Sequence, residues 1–329
     1  MTARSRTTDP TRRQARILAR LTPPGPAGTR AELRAIVEIL HRSAAEAPEE
    51  VGRITGLNRA AKAAARVPVY VVDRPRFQAA NRELLTQIAG PVLPGRDLET
   101  LPTDAALSFL STKVLGQYDP LARRLLLVAP NVVKIENELD LDGMDFRRWV
   151  CLHEATHAVQ FAAAPWLSEF MVTKVREILR AGEQGSDLTA FAAWLSAVIR
   201  GRGQDVADAI VPPEAASLMA EVSALMALLE GHADVVMDSI SPARMPSVRR
   251  IRAAFDERRN RPNRVTARLN AAIGMDVKLA QYRDGAAFVR AVVNDGGHAR
   301  LNAVFADPRH LPSPDEIREP HAWLARVTA

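Results

Sequence analysis

Cysteine is almost absent from this sequence, because Cys151 is the only one among 329 residues. One cysteine allows no disulfide within the chain and no zinc cluster built from thiolates, and it fits a reducing compartment. Aromatic residues are also scarce, at 5% of the chain. We therefore expect a core of alanine, leucine, valine and isoleucine, which favours closely packed helices.

Long apolar runs are missing as well. The sequence contains no stretch of about 18 consecutive apolar residues, so we expect no membrane span. The arginine-rich first residues contain no apolar core of the kind found in secretory signals. We therefore expect a cytoplasmic protein with no membrane partner. Residues 1–28 have the composition of a disordered basic tail ending in a linker rich in proline and glycine, and we expect residues 29–329 to form a single domain.

Positive charge is in excess, with a formal net charge of +6. The arginines concentrate in the tail and between residues 249 and 268. A basic stripe can bind nucleic acid or another anion. No nucleic-acid recognition motif accompanies these arginines, so we interpret them as a solvated face and do not expect nucleic acid to be the partner.

Two segments predict strands, namely residues 67–73 and the apolar run at residues 125–128. The second would pair in a hairpin with residues 114–118, and LLLVAPN, which contains it, is our candidate for an edge strand able to pair with an extended peptide. Apolar residues at three- and four-residue steps predict helices over much of the remainder. The expected fold is α+β and predominantly α-helical, with a small β-sheet.

The stretch CLHEATHAVQF, residues 151–161, carries two histidines four residues apart, His153 and His157, with Glu154 directly after the first. On a helix the two imidazoles share a face. Histidines with this spacing bind zinc in hydrolases, where the glutamate takes a proton from the attacking water. The alternative is a buried helix whose histidines bond to the backbone. The apolar flanks favour the metal, because imidazoles and a carboxylate buried there need polar partners.

A catalytic zinc site needs a third protein ligand, and the downstream stretch EGHAD offers Glu230, His232 and Asp234. Glu230 and Asp234 are four residues apart and share a helix face, whereas His232 points away from both. The economical assignment makes Glu230 the ligand and lets Asp234 accept the free N–H of a ligand histidine. Asp234 as the ligand is the rival assignment, and His232 is the third choice.

HEATH followed by EGHAD resembles the glutamate zincins, in which a second helix supplies a glutamate ligand. A closer resemblance joins GQYDP, LLLVAPNVV, HEATHAVQF, EGHADVVMD and QYRDGAAF, in this order, to a zincin-like family of bacterial hydrolases whose genes are associated with deazaflavin coenzyme biosynthesis. The resemblance covers the chain from about residue 31 onwards. It implies a zincin-like fold, with the sheet packed near the helix that carries HEATH, and it implies no particular substrate.

The sequence therefore predicts a zinc-dependent hydrolase of peptide or amide bonds, with Zn²⁺ bound by His153, His157 and Glu230 and with Glu154 as the general base. A donor to the developing oxyanion is also required; Tyr282 is our first candidate, beside Tyr118 and His298. Two alternatives stay open. One is a zinc protein without protease activity, either an amide-processing biosynthetic enzyme or an inactive binding scaffold. The other is a protein that binds nucleic acid or anions through its arginines and holds a structural zinc.

Overall fold

The helices and strands follow from a computed structural model, which describes residue 23 and residues 25–92, 107–108, 110–183, 213–260 and 278–328. The strands are β1 (Val69–Val72), β2 (Gly116–Asp119) and β3 (Arg124–Val128). The helices are α1 (Arg30–Thr55), α2 (Asn58–Ala64), α3 (Arg74–Ala89), α4 (Ala129–Glu138), α5 (Gly143–Ala163), α6 (Leu167–Glu183), α7 (Pro213–Asp238), α8 (Val248–Asn260), α9 (Lys278–Leu301), α10 (Pro314–Arg318) and α11 (Pro320–Thr328). The prediction of a predominantly α-helical α+β fold with a small sheet is confirmed.

The three strands form one small sheet in the order β1–β3–β2. β2 and β3 pair antiparallel, as the predicted hairpin requires, and β1 pairs parallel with β3. The prediction that LLLVAPN supplies an edge strand is wrong, because β3 has hydrogen-bonded neighbours on both sides. Within the part of the chain that the structure describes, β2 forms one edge of the sheet.

Helices α1 and α5 begin at side-chain caps. Thr29 and Glu32 form a reciprocal capping box at the start of α1, which is a strong start signal. The helix with HEATH, α5, begins after Asp142, whose carboxylate accepts a hydrogen bond from the Asp145 backbone N–H at 2.9 Å. Asp145 does not cap the helix, because its carboxylate accepts two hydrogen bonds from Ser247.

Helix α5 is central to the packing, because it lies against α1, α2, the sheet and α7. Its residues Val150, Leu152 and Val159 are almost fully buried. A second apolar cluster joins α7 to α9, α10 and α11. The two helices α7 and α9 cross closely at Gly231 and Gly285, where a Cβ on Gly231 would lie 2.3 Å from the Gly285 carbonyl carbon. Glycine at residue 231 is therefore required by the crossing, directly beside Glu230.

Parts of the sequence prediction fall outside the described residues. These are nearly all of the predicted tail and the helical pattern AFAAWLSAVIR, residues 190–200. Among the helices that the structure describes, none combines the length and the apolar character that crossing a membrane requires.

Candidate metal centre

Two helices bring three ligand-type side chains together. His153 and His157 project from one face of α5, and Glu230 faces them from α7. The two Nε2 atoms lie 3.3 Å apart. The Glu230 carboxylate oxygens lie 3.5 Å from Nε2 of His153 and 3.6 Å from Nε2 of His157. The three side chains therefore form a triangle of two nitrogens and one carboxylate, which presents Oε2 to His153 and Oε1 to His157.

The triangle fits a tetrahedral zinc ion. Zinc bonds of about 2.0–2.1 Å at the tetrahedral angle put neighbouring ligand atoms about 3.3 Å apart, close to the observed edges of 3.3, 3.5 and 3.6 Å. Two imidazole lone pairs facing each other at this distance repel unless a cation or a proton lies between them. Two histidines and one carboxylate are also a donor set that leaves a fourth position open in catalytic zinc sites.

Without a metal ion, a proton between the two Nε2 atoms would relieve this repulsion. Burial pushes the pKa of His153 down, but the hydrogen bond and charge of Glu230 outweigh burial and raise the pKa to about 9. Burial lowers the pKa of His157 below its ordinary value. The carboxylate of Glu230 therefore favours a positive charge at His153.

Glu154 follows His153 on α5 and lies beside the triangle against the main chain of β2. A Cβ built on Gly116 would come within 2.6 Å of the Glu154 Cγ atom, so residue 116 has room only for glycine. Burial raises the pKa of Glu154 to about 7, with the charge of Glu230 acting in the same direction and that of His153 opposing it. Strand β2 thus holds the carboxylate of the predicted general base close to the two candidate ligand histidines.

The triangle and Glu154 line a cleft of about 320 Å³. Its walls come mostly from apolar side chains of α3, α6 and α7: Leu84, Leu85, Met171, Val175, Val222 and Met226. Tyr118 of β2 also lines the cleft, and burial raises the pKa of its hydroxyl. A ligand that reaches the triangle would therefore have apolar surroundings on several sides.

Gln160, which the sequence analysis did not single out, links the two helices behind the triangle. His157 Nδ1 and Gln160 Oε1 are 2.9 Å apart. The Gln160 amide nitrogen donates to the Leu229 carbonyl at 2.8 Å and to His232 Nδ1 at 3.0 Å. The signal was its position three residues after His157, which places both side chains on one face of the helix.

A family model described as "Zincin-like metallopeptidase" matches residues 95–324, which is more than two thirds of the chain. The chain belongs to this zincin-like metallopeptidase family. It is also similar to a crystal structure from Chloroflexus aurantiacus described as "a putative hydrolase with a novel fold", with 30% sequence identity and a TM-score of 0.66, over 96% of this chain and 98% of that chain. No functionally curated protein is detectably similar to this chain.

In this member of the zincin-like metallopeptidase family the other predicted site residues whose side chains the structure describes lie outside the triangle. The hydrogen bonds described for Asp234 join it to Arg252, although its charge also acts on His153. His232 lies outside the triangle and bonds to Gln160. His298 lies beside His232, with the ring centroids 6.1 Å apart, and the side chain of Tyr282 lies outside the described residues.

The arginines between residues 249 and 268 fall into two groups, those whose side chains the structure describes and those whose side chains lie outside its described part. Arg250 pairs with Asp140, and Arg252 pairs with Asp234 and Asp238. The side chains of residues 258–268 lie outside the described part of the chain. The described arginines of the stripe thus include two that are engaged by carboxylates.

Proposed function

We propose that this chain is a zinc-dependent hydrolase of peptide or amide bonds, with His153, His157 and Glu230 as the zinc ligands and Glu154 as the general base. The observation that carries the proposal is the triangle of two Nε2 atoms and a carboxylate with edges of 3.3–3.6 Å. The family to which the chain belongs supports the same reading.

The residues would divide the chemistry between them. When bound, zinc lowers the pKa of a coordinated water to about 7 and polarises a carbonyl. Glu154, which lies against Gly116 in the lining of the cleft, accepts the proton of the attacking water on its carboxylate. The same carboxyl group then returns that proton to the leaving amine, as a general base that becomes a general acid.

The cleft indicates which substrates to try. Side chains such as Met171, Val222 and Met226 surround the triangle, and burying an apolar side chain against them contributes roughly 1.5–3 kcal/mol. A charged substituent there would lose its hydration without gaining a partner. We therefore propose a substrate that carries an apolar group next to the scissile amide.

The test compares zinc content and turnover in wild type and Glu154→Gln. Zinc is measured by mass spectrometry, and turnover on peptide libraries that carry apolar or charged residues around the cleaved bond. We expect about one zinc per chain in both proteins, cleavage next to apolar residues in wild type, and turnover about 10²–10⁴-fold lower in Glu154→Gln. Glu138→Gln, at an exposed glutamate of α4, serves as the control and should behave like wild type.

Two results would contradict the proposal. Wild type that holds no zinc after reconstitution would remove the metal centre. A Glu154→Gln protein as active as wild type would remove the general base. Wild type that holds zinc but cleaves no peptide would instead favour the alternative of a zinc protein that acts on another amide or only binds.

A further inference from the structure

Gln160 joins the two halves of the centre through a buried network. Its side chain is fully buried. On one side it contacts the ligand His157, and on the other it contacts the carbonyl of Leu229, the residue before the ligand Glu230. One amide group thus touches the helix that carries both histidines and the helix that carries the carboxylate.

Chemistry fixes the orientation of this amide. The Leu229 carbonyl can only accept hydrogen bonds, so the group that faces it at 2.8 Å must be the amide nitrogen of Gln160. The amide oxygen then faces His157 Nδ1 at 2.9 Å, and this oxygen can only accept. Nδ1 of His157 therefore carries the hydrogen. In the neutral ring this leaves Nε2 with its lone pair directed at the triangle.

His232 completes the network as an acceptor. The second hydrogen of the Gln160 amide nitrogen points to His232 Nδ1 at 3.0 Å. A neutral ring that accepts at Nδ1 carries its hydrogen on Nε2, and this atom has no hydrogen-bond partner in the described part of the chain. His232 is only 1% exposed. Its role here is to accept the amide hydrogen that Leu229 does not use.

We propose that Gln160 is a positioning residue that holds His157 in its metal-binding tautomer and joins it to the backbone of the Glu230 helix, with His232 holding the amide in place. The inference rests on the proposed zinc site. Outer partners of metal ligands of this kind typically change metal affinity 10–100-fold. Sequence spacing alone had given this role to Asp234.

The first test measures zinc affinity by competition with a chromophoric chelator. Gln160→Met keeps the length and burial of the side chain but removes all three of its hydrogen bonds, and we expect its zinc dissociation constant to rise about 10–100-fold. Gln78→Met is the matched control, because Gln78 is a buried glutamine of α3 whose amide nitrogen has no partner among the described residues. The control should bind zinc as wild type does.

A second pair of variants isolates the contribution of His232. His232→Asn places an acceptor oxygen close to the position of Nδ1, so its zinc affinity should stay near that of wild type. His232→Leu leaves one amide hydrogen buried without an acceptor and should weaken zinc binding several-fold. Equal zinc affinities in these two variants would overturn the part of the proposal that concerns His232.

The tautomer is tested without metal. Long-range ¹⁵N–¹H NMR on the metal-free wild type should show the hydrogen of His157 on Nδ1; a hydrogen on Nε2 would overturn the proposal even if Gln160→Met failed to fold. Unchanged zinc affinity in folded Gln160→Met would overturn it as well. A wild type that binds no zinc would defeat the proposed function instead, so the two failures are distinguishable.

Discussion

This molecule contains two pairs of neighbouring histidines, and the two pairs have opposite electrostatic surroundings. The rings of His153 and His157 are 4.9 Å apart and those of His232 and His298 are 6.1 Å apart. Glu230 raises the pKa of His153 to about 9 against the effect of burial. Burial, followed by the charges of His298 and His157, lowers the pKa of His232 to about 3.

The difference shows that proximity of imidazoles does not by itself make a candidate metal centre. The first pair opens on a cleft and faces a carboxylate. The second pair is packed beside Phe305, and within the described residues no third ligand-type side chain joins it. The first pair therefore differs from the second by the carboxylate that faces it and by its access to the cleft.

The largest effect is expected from Glu230→Ala, which makes the first pair resemble the second. Without the carboxylate two histidines remain, and zinc affinity should fall more than about 100-fold, beyond what an outer partner costs. Competition with a chelator measures the loss. Glu221→Ala is the control on the same helix, because Glu221 pairs with Lys174. Wild-type affinity in Glu230→Ala would show that another residue is the third ligand.

A smaller effect is expected from Asp234→Asn. The negative charge of Asp234 favours positive charge at His153, so its removal should weaken zinc binding by up to about 10-fold. Asp238→Asn is the matched control, since both aspartates bind Arg252. Calorimetric titration with zinc separates the two variants. Equal affinities in both would leave Asp234 with a role in the Arg252 ion pair alone.

The smallest effect is expected on the stability of the fold in acid, through His298 of the second histidine pair. Burial lowers the pKa of His298 below its ordinary 6.5. Below pH 6.5 the unfolded chain therefore takes up a proton that the folded chain does not, and the free energy of unfolding decreases as the pH falls towards the folded pKa. His298→Asn removes this contribution, which is at most about 1.4 kcal/mol per pH unit.

Urea unfolding of wild type and His298→Asn at pH 7, 6 and 5 measures the two slopes. The variant should lose less stability than wild type on acidification, with unchanged zinc affinity. His321→Asn, at an exposed histidine of α11, should follow the wild-type slope. A steeper loss of stability in His298→Asn would contradict the direction of the pKa shift.

Local sequence patterns predicted the helices and strands whose formation depends on residues close together in the chain. The hairpin of β2 and β3 and the helix with HEATH follow from periodicity and spacing. The same spacing placed Glu230 and Asp234 on one helix face, and the structure brings Glu230 to the two histidines. The assignments of metal ligands and of the general base stay predictions until zinc content and turnover are measured.

Non-local packing explains what the sequence did not predict. The parallel pairing of β1 with β3 joins segments about 50 residues apart, so no local pattern specifies it. Gly231 lies in the interior of α7, where its backbone meets Gly285 of α9, and no local pattern specifies that contact. The partners of Gln160 lie 69 and 72 residues further along the chain, which is why its spacing from His157 alone did not identify it.

The position of the three candidate ligands along the chain has a consequence for folding. His153 and His157 come together as soon as α5 forms, but Glu230 lies 73 residues after His157 and arrives only when α7 docks. Closing a loop of that length costs on the order of 4 kcal/mol of chain entropy. When filled, the centre would act as a reversible cross-link across this loop, so the rate at which a refolding chain takes up zinc would report the docking of the two helices.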